Sequence, residues 1–529
     1  MSDKSSRSNL ILAAMILAVA MTFIDQTIVS ISIPEIQDDL HLSSTGVQWV
    51  INGYLLTLAA LFAFGGKIAD VFGRKKMVIT GILIFAGAST MCGLTPTGSI
   101  AEAWIIFWRI IQGAGAAIMF PAALAIVISA FPMENRGKAL ALFFGLTGVF
   151  TSIGPIAGGY LSEWTWRSIF WINIPVALVS LYLIHRADPE EHKRPEKIDM
   201  RGAVMISMGM GLLVLGLQQS AVWGWSSPAT WGCIAVGAIT LVAFVLYELK
   251  LTKPLIRVQI FKDRSFAVDC AVLFLLSIPF VPLFFFASVY SQVSLGWQAS
   301  ESGLYLLVFF GGFAIASQWG GRILDSKGAR PAVILGSALA AAGFYLWAGQ
   351  MTDLDAGLNG QWYYIVLAGA GVGLVLSPAS TDAINRAPST SYGEATGITQ
   401  TVRNFGASLG LAVLGTILTL QTKANIEDTF VAKGLPKAAG DKVAALFTSG
   451  DTGSAGGSLG GGGGGGKSPI TLADIQLDYA TATQTVFYVM AGVMAVCFVV
   501  ALAGSPKGKM EEVILDEDDA PAPEGPAAT

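Results

Sequence analysis

Two charged side chains in apolar surroundings carry most of the chemistry open to this chain. Asp25 stands in Ile24-Asp25-Gln26-Thr27, inside an apolar run over 10–33. Arg109 stands in Trp108-Arg109-Ile110-Ile111-Gln112-Gly113, inside another over 103–128. On insertion scales a charge at mid-span costs about 2.5–3.5 kcal/mol, so it needs a partner, water or a function. A carboxyl there can bind and release a proton, with an affinity set by how dry the site is and how near a cation stands. The arginine stays charged, as a counter-charge or as a brace between helices. Gln112 and Gly113, at i+3 and i+4, share its helix face. Asp25 lies nine residues before Pro34, about 13 Å from the outer end of its span at 1.5 Å per residue. Arg109 lies about six residues into its own span, or about 9 Å. The two are expected at similar depth, with Asp25 and Arg109 as the proton-coupling pair. Gln26, Gln112 and Arg403 are the expected substrate or relay residues.

Other polar groups are weaker signals. Arg403, in Thr401-Val402-Arg403-Asn404-Phe405-Gly406, and Asp382 are further intramembrane charges. Gly154-Pro155-Ile156-Ala157-Gly158-Gly159 combines a helix-kinking proline with glycines that admit a neighbouring backbone. It reads as a pliable, tightly packed segment, and packing alone could account for it. Gly461, Gly466, Lys467 and Ser468 fit the phosphate-loop pattern. That pattern needs a strand before it and a helix after it. Here a glycine run precedes it, so no ATP site is expected. The three histidines are scattered, so no metal site is expected either. Cys92, Cys233, Cys270 and Cys497 fall in apolar runs and read as small buried hydrophobes.

These residues must be positioned by membrane helices. Of 529 residues, 53% are hydrophobic and 13% charged, against about 25% charged in soluble domains. Mean hydropathy is +0.62. Fourteen spans are expected: 10–33, 47–66, 77–95, 103–128, 139–161, 168–185, 203–222, 231–249, 267–288, 303–320, 331–349, 362–383, 395–419 and 484–505. Bases collect in alternate loops, at Lys67, Arg74, Lys75 and Lys76, over 186–201 and over 250–264, which places both termini in the cytoplasm.

One short stretch occurs twice. Gly66-Lys67-Ile68-Ala69-Asp70-Val71-Phe72-Gly73-Arg74-Lys75 returns as Gly321-Arg322-Ile323-Leu324-Asp325-Ser326-Lys327-Gly328-Ala329-Arg330. Gly113-Ala114-Gly115 with Pro121 is likewise echoed by Gly369-Ala370-Gly371 with Pro378. Such echoes argue for two repeated bundles. The expected organisation is a cytoplasmic N-terminus (1–9), a six-helix bundle (10–186) and two inserted helices with flanking loops (187–264). A second six-helix bundle (265–505) follows, including a long outer loop over 420–482 with an amphipathic helix near 424–447. An acidic tail (506–529) ends the chain. Gly66, Asp70, Gly73, Arg74, Asp325 and Arg330 form the expected cytoplasmic gate; helix capping and topology are the plainer reading of Asp70 and Arg74.

At these residues the chain resembles the major facilitator superfamily, and within it the fourteen-span drug:proton antiporters of EmrB/QacA type. Gly66 to Lys75 resembles the superfamily's loop signature, and Arg109 to Gly115 its span-four signature. Gly154, Pro155, Gly158 and Gly159 resemble the span-five antiporter signature, although Phe150 stands where a glycine is usual. Span ten carries no acid, unlike relatives that export dications. The resemblance implies an all-α polytopic membrane protein of major facilitator fold, with no cofactor and no enzymatic activity. It implies proton-driven export of amphipathic organic compounds across the plasma membrane. The implied partners are a small organic substrate, protons and the lipid bilayer, with neither nucleic acid nor ATP. A metabolite transporter on the same fold and a membrane sensor are the alternatives.

Overall fold

In lipid a backbone must satisfy its own polar groups, so the apolar runs fold as helices. The computed structural model describes residues 2–191, 193, 198–251, 254–256, 258–297, 299–386, 392–440, 443, 470–506 and 508. No strand occurs among these. In chain order the long helices are α1 (Ser2–Leu40), α2 (Ser44–Phe72), α3 (Arg74–Gly93), α4 (Ala101–Ala130) and α5 (Met133–Trp164). The short α6 (Ser168–Trp171) and α7 (Asn173–Ala187) form one crossing. Then come α8 (Met200–Trp223), α9 (Pro228–Glu248), α10 (Arg264–Val293), α11 (Ala299–Lys327), α12 (Ala329–Ala348), α13 (Gly357–Asn385) and α14 (Tyr392–Ala432). The last, α15, spans Leu472–Gly504.

Thirteen helical segments among the described residues are long and apolar enough to cross a membrane. The expected span at 139–161 is the fourteenth. It lies in α5, whose 32 residues reach about 48 Å at 1.5 Å per residue. This helix is rich in Gly, Ser and Thr between Gly145 and Gly159, and it packs against α1 and α11.

The repeat seen in the sequence is a repeat in packing. In the first group α1 packs on α5 and α7, α2 on α4, and α3 on α4 and α7. In the second α10 packs on α14 and α15, α11 on α13, and α12 on α13 and α15. Replacing each helix of the first set by its counterpart in the second reproduces every pair. The groups meet through α2 on α14 and α5 on α11, which is again one contact made twice. The hairpin α8–α9 stands outside this scheme. Its α8 lies against both α2 and α14, across the seam between the groups.

The doubled glycines set how close the helices come. A Cβ on Gly113 would lie 2.5 Å from the Tyr54 carbonyl oxygen, and one on Gly369 would lie 2.1 Å from that of Phe309. Gly115 meets Gly81 and the Phe85 amide in the same way that Gly371 meets Gly336 and the Ala340 amide. Only a residue without Cβ permits these approaches.

The repeated loop is much shorter than expected. Helix α2 continues through Gly66 to Phe72, and α3 begins at Arg74, so the break is Gly73 alone, at φ +108°. Gly328, at φ +86°, makes the matching break between α11 and α12. Burial of Lys67, Ala69 and Asp70 against neighbouring helices keeps the last turns of α2 helical.

Two ends run furthest past the expected spans. Helix α14 runs past 419 to Ala432, and α15 starts at Leu472 rather than 484. The extensions hold each other: Ile426 and Phe430 pack with Ile475, Asn425 donates to the Asp478 carbonyl at 3.0 Å, and Thr429 donates to its carboxylate at 2.9 Å. The amphipathic stretch near 424–447 is thus a continuation of α14 as far as Ala432. The glycine run with Lys467 and Ser468, and the tail beyond Gly508, lie outside the described residues.

Candidate functional site

Helices α1, α2 and α4 converge on Asp25. The absent Cβ of Gly113 lets α2 approach α4, which brings Val50 and Tyr54 to Arg109, one turn away. Arg109 Nη1 donates to Asp25 Oδ2 at 2.5 Å and to Gln112 Oε1 at 2.8 Å. Gln112 Nε2 donates to the other carboxylate oxygen, Oδ1, at 2.8 Å, which closes a ring of three side chains. Arg109 Nε donates to the Val50 carbonyl at 2.9 Å, and the guanidinium lies 4.5 Å over the Tyr54 ring. Asp25, Arg109, Gln112 and Tyr54 are all buried. The Tyr54 hydroxyl donates to the Thr22 carbonyl at 3.4 Å and is also in hydrogen-bond reach of half-buried Gln26. The pair anticipated from depth is therefore in direct contact. Its arginine is bound from three helices, so any movement of α1 against α2 and α4 changes what the carboxylate touches.

The glycine-proline segment of α5 lies against α1, within a turn of Asp25. A Cβ on Gly154 would come within 1.9 Å of Thr27 Oγ1, and one on Gly158 within 3.1 Å of Ile28. Pro155 and Gly159 belong to the same helix, and their surroundings lie outside the described residues.

A second set of polar groups ties the two helix groups together at the end carrying Gly73 and Gly328. Asp70 holds Arg74, with Nε to Oδ1 at 2.9 Å and Nη2 to Oδ1 at 2.8 Å, and Arg74 Nη1 donates to Ser129 of α4 at 2.9 Å. Across the seam, Tyr392 of α14 has Arg74 5.7 Å and Arg136 5.4 Å from its ring centre. Arg136 Nη1 donates to the Tyr392 hydroxyl at 2.9 Å and to Asn385 at 3.3 Å. The Gly137 amide donates to Asp325 at 3.0 Å, and Ser317 donates to the Ala141 carbonyl at 3.1 Å. A Cβ on Gly321 would lie 2.3 Å from the Gly137 carbonyl oxygen, so α5 and α11 touch backbone to backbone. Of the expected gate residues, Asp325 bridges the groups, Arg74 faces the bridge, and Gly66 is buried within α2. Arg330 is not at the seam; its Nη2 donates to the Leu502 carbonyl of α15 at 2.9 Å, inside its own group.

Several polar groups at these contacts went unread in the sequence. Arg136, Asn385 and Tyr392 sit near helix ends, where a polar residue carries no periodic signal. Asp269 is buried five residues into α10, beside Arg386 (Nε at 3.6 Å). Arg386 also holds Asp382 at 2.8 Å and lies 3.9 Å from Asp263. The Asp382–Arg386 spacing of four was the one available signal for that cluster. Arg403 is buried in the first third of α14, with its guanidinium 5.7 Å from the ring of Phe144 on α5. At the opposite end of the molecule Asp39 accepts from Arg167 at 2.8 Å and from the Trp166 indole at 2.9 Å. Those two hydrogen bonds hold the Asp39 carboxyl below its ordinary pKa of 3.8.

The comparisons with known proteins agree with this architecture. The Tetracenomycin C resistance and export protein of Streptomyces glaucescens is 32% identical over 446 residues, covering 84% of this chain and 82% of that one. The multidrug transporter protein MdtP of Bacillus subtilis is 29% identical, over 86% of this chain and 83% of its own. The cephamycin export protein CmcT of Amycolatopsis lactamdurans is 30% identical, over 78% and 86%. Among solved structures, the proton:xylose symporter XylE superposes with a TM-score of 0.60 at 12% identity, over 96% of this chain and 97% of that one. A bacterial homologue of the human lysosomal transporter Spinster gives 0.54 at 16% identity, over 93% and 96%. At these identities the two structures speak for the fold alone. The family profile of the Major Facilitator Superfamily matches residues 15–411. Doubled helix packing, paired glycine breaks, long relatives and the profile converge: this chain is a multi-pass membrane transporter, not an enzyme, and belongs to the Major Facilitator Superfamily.

Proposed function

We propose that this transporter exports amphipathic organic compounds, drugs or antibiotics among them, in exchange for protons by alternating access. The observation that carries the reading is the buried Asp25–Arg109–Gln112 ring, a titratable carboxylate whose cation is anchored to other helices. Relatives of matching length are named as tetracenomycin, multidrug and cephamycin exporters, which supports the direction of transport. The membrane is the plasma membrane, with both termini and the Gly73 and Gly328 breaks in the cytoplasm, as the basic loops favour.

In this reading the structure is closed on the cytoplasmic side, through Arg136–Tyr392 and Gly137–Asp325. Protons reach Asp25 from outside. Protonation neutralises the carboxylate and frees Arg109, which loosens α1 from α4. The two groups then rock about the seam and the cytoplasmic ties open. Substrate enters from the cytosol or inner leaflet, the proton leaves, and re-formation of the ion pair favours return. One proton moving through 100 mV releases about 2.3 kcal/mol. A tenfold pH difference adds about 1.4 kcal/mol. Together they could sustain a several-hundred-fold gradient of a neutral solute.

Everted membrane vesicles test the proposal. Accumulation of a lipophilic fluorescent dye should follow an imposed inside-acid pH gradient and collapse on adding a protonophore. Accumulation that persists without a proton gradient, or that needs ATP with the gradient clamped, would overturn it.

A further inference from the structure

The buried arginines of this protein differ in what answers their charge. Arg74 holds the Asp70 carboxylate and Arg109 that of Asp25. Arg136 has three oxygen acceptors, on Phe131, Asn385 and Tyr392. Arg403, only 8% exposed, donates Nη1 to the neutral Gln400 amide oxygen at 2.9 Å. Among the described residues its Nε donates to nothing and no carboxylate pairs with it. The group is a rigid, permanently charged fork that meets one neutral oxygen and, among the described residues, no carboxylate.

Its place in the fold is equally specific. Arg403 lies eleven residues from Tyr392 at the start of α14, and Phe144 lies eleven residues from Met133 at the start of α5. Both are therefore about 17 Å along their helices from the cytoplasmic end, near mid-membrane. They come from opposite helix groups, so Arg403 faces the seam along which substrate must pass. Phe144 begins an aromatic chain that runs into the first group, to Phe143 at 5.4 Å and on to Phe120 at 6.3 Å.

We propose that Arg403 is a substrate-recognition residue for organic anions: it receives the carboxylate, sulfonate or enolate of an aromatic compound whose ring system lies against Phe144. The assignment rests on the export reading and narrows it to a substrate class. It also fits the energetics, since a cell interior that is electrically negative drives an anion outward. One proton entering for one monoanion leaving moves two charges, so the membrane potential acts twice.

Anthracene-2-carboxylate and its neutral amide are a matched pair of fluorescent probes. With purified protein in nanodiscs, the carboxylate should bind at least tenfold more tightly than the amide. Arg403→Gln should lower carboxylate affinity at least tenfold more than amide affinity and so remove that preference, and Arg403→Lys should keep part of it. Equal loss of both probes would make Arg403 a structural brace. An unchanged preference in Arg403→Gln, or no preference in the unmodified protein, would also overturn the proposal; the last outcome needs no variant to fold. Proteoliposomes with an imposed proton gradient separate the two readings. Export of a cationic dye but not of the carboxylate refutes anion recognition alone. Failure of every solute to move refutes the export reading, and this inference with it.

Discussion

At the residue scale, the decisive feature is that Asp25 is buried and its two carboxylate oxygens accept from Arg109 and Gln112. Removing one member of such a buried pair leaves the other uncompensated, at about 3–5 kcal/mol. Arg109→Ala and Asp25→Asn should therefore both lower the thermal stability of the purified protein: the first leaves Asp25 without its cation, and the second leaves Arg109 without its counter-charge and turns an amide donor toward Arg109 or Gln112. Arg109→Lys should be poorly tolerated in transport, because a single ammonium cannot serve Asp25, Gln112 and the Val50 carbonyl at once. The shared depth of Asp25 and Arg109 was legible from their positions in the spans, and the shared face of Arg109 and Gln112 from their spacing; the direct contact was not, because depth does not say how α1 and α4 are rotated toward each other. Val50 and Tyr54 were not, since they come from α2 and nothing local encodes how α2 rotates against α4.

The pH dependence at this scale has a clear sign for Asp39. Its pKa is lowered in the folded protein by Arg167 and Trp166. The contribution is present above the ordinary value of 3.8 and is lost as pH falls through the lower folded value. Between pH 5 and 8 it is constant. Asp39→Asn should consequently leave the shape of the transport pH profile over that window unchanged, while Asp25→Asn should flatten it.

At the element scale, the glycines decide which helices can touch. Alanine at Gly113 or Gly369 would push a Cβ into a backbone carbonyl, which no side-chain adjustment relieves. Overpacking of this kind costs about 1–3 kcal/mol. Gly87, with nothing within 4 Å, is the control: Gly87→Ala should be neutral in the same thermal unfolding assay. The repeated Gly-x-Gly pairs showed in the sequence because close packing demands that residue type. The lengths of α2, α14 and α15 did not show. Lys67 and Asp70 read as loop residues by polarity, yet both are buried and helical, with Asp70 held by Arg74, which is itself tied to Ser129 of α4.

At the scale of the whole molecule, two groups of helices with matching internal packing meet through α2–α14 and α5–α11, and α8 bridges the seam. In the proposed cycle the ties at the end carrying Gly73 and Gly328 are the contacts that break when that side opens. Asp325→Asn weakens the acceptor for the Gly137 amide and should shift the population toward the open form. In a Ser317→Cys background, the buried position that now donates to Ala141 should then label several-fold faster with a maleimide added to everted vesicles. Asp70→Asn, by releasing Arg74 from its fixed place beside Tyr392, should slow turnover without abolishing substrate binding.

Proton coupling through Asp25 is the centre of the account, and proton flux in proteoliposomes measures it directly. With unmodified protein, adding substrate should drive a stoichiometric counterflow of protons, followed by a trapped pH dye. With Asp25→Asn the substrate-driven proton signal should vanish while the protein stays folded and still binds neutral substrate. Normal, stoichiometric proton flux from Asp25→Asn would contradict the account and leave Arg109 as a brace between α1, α2 and α4.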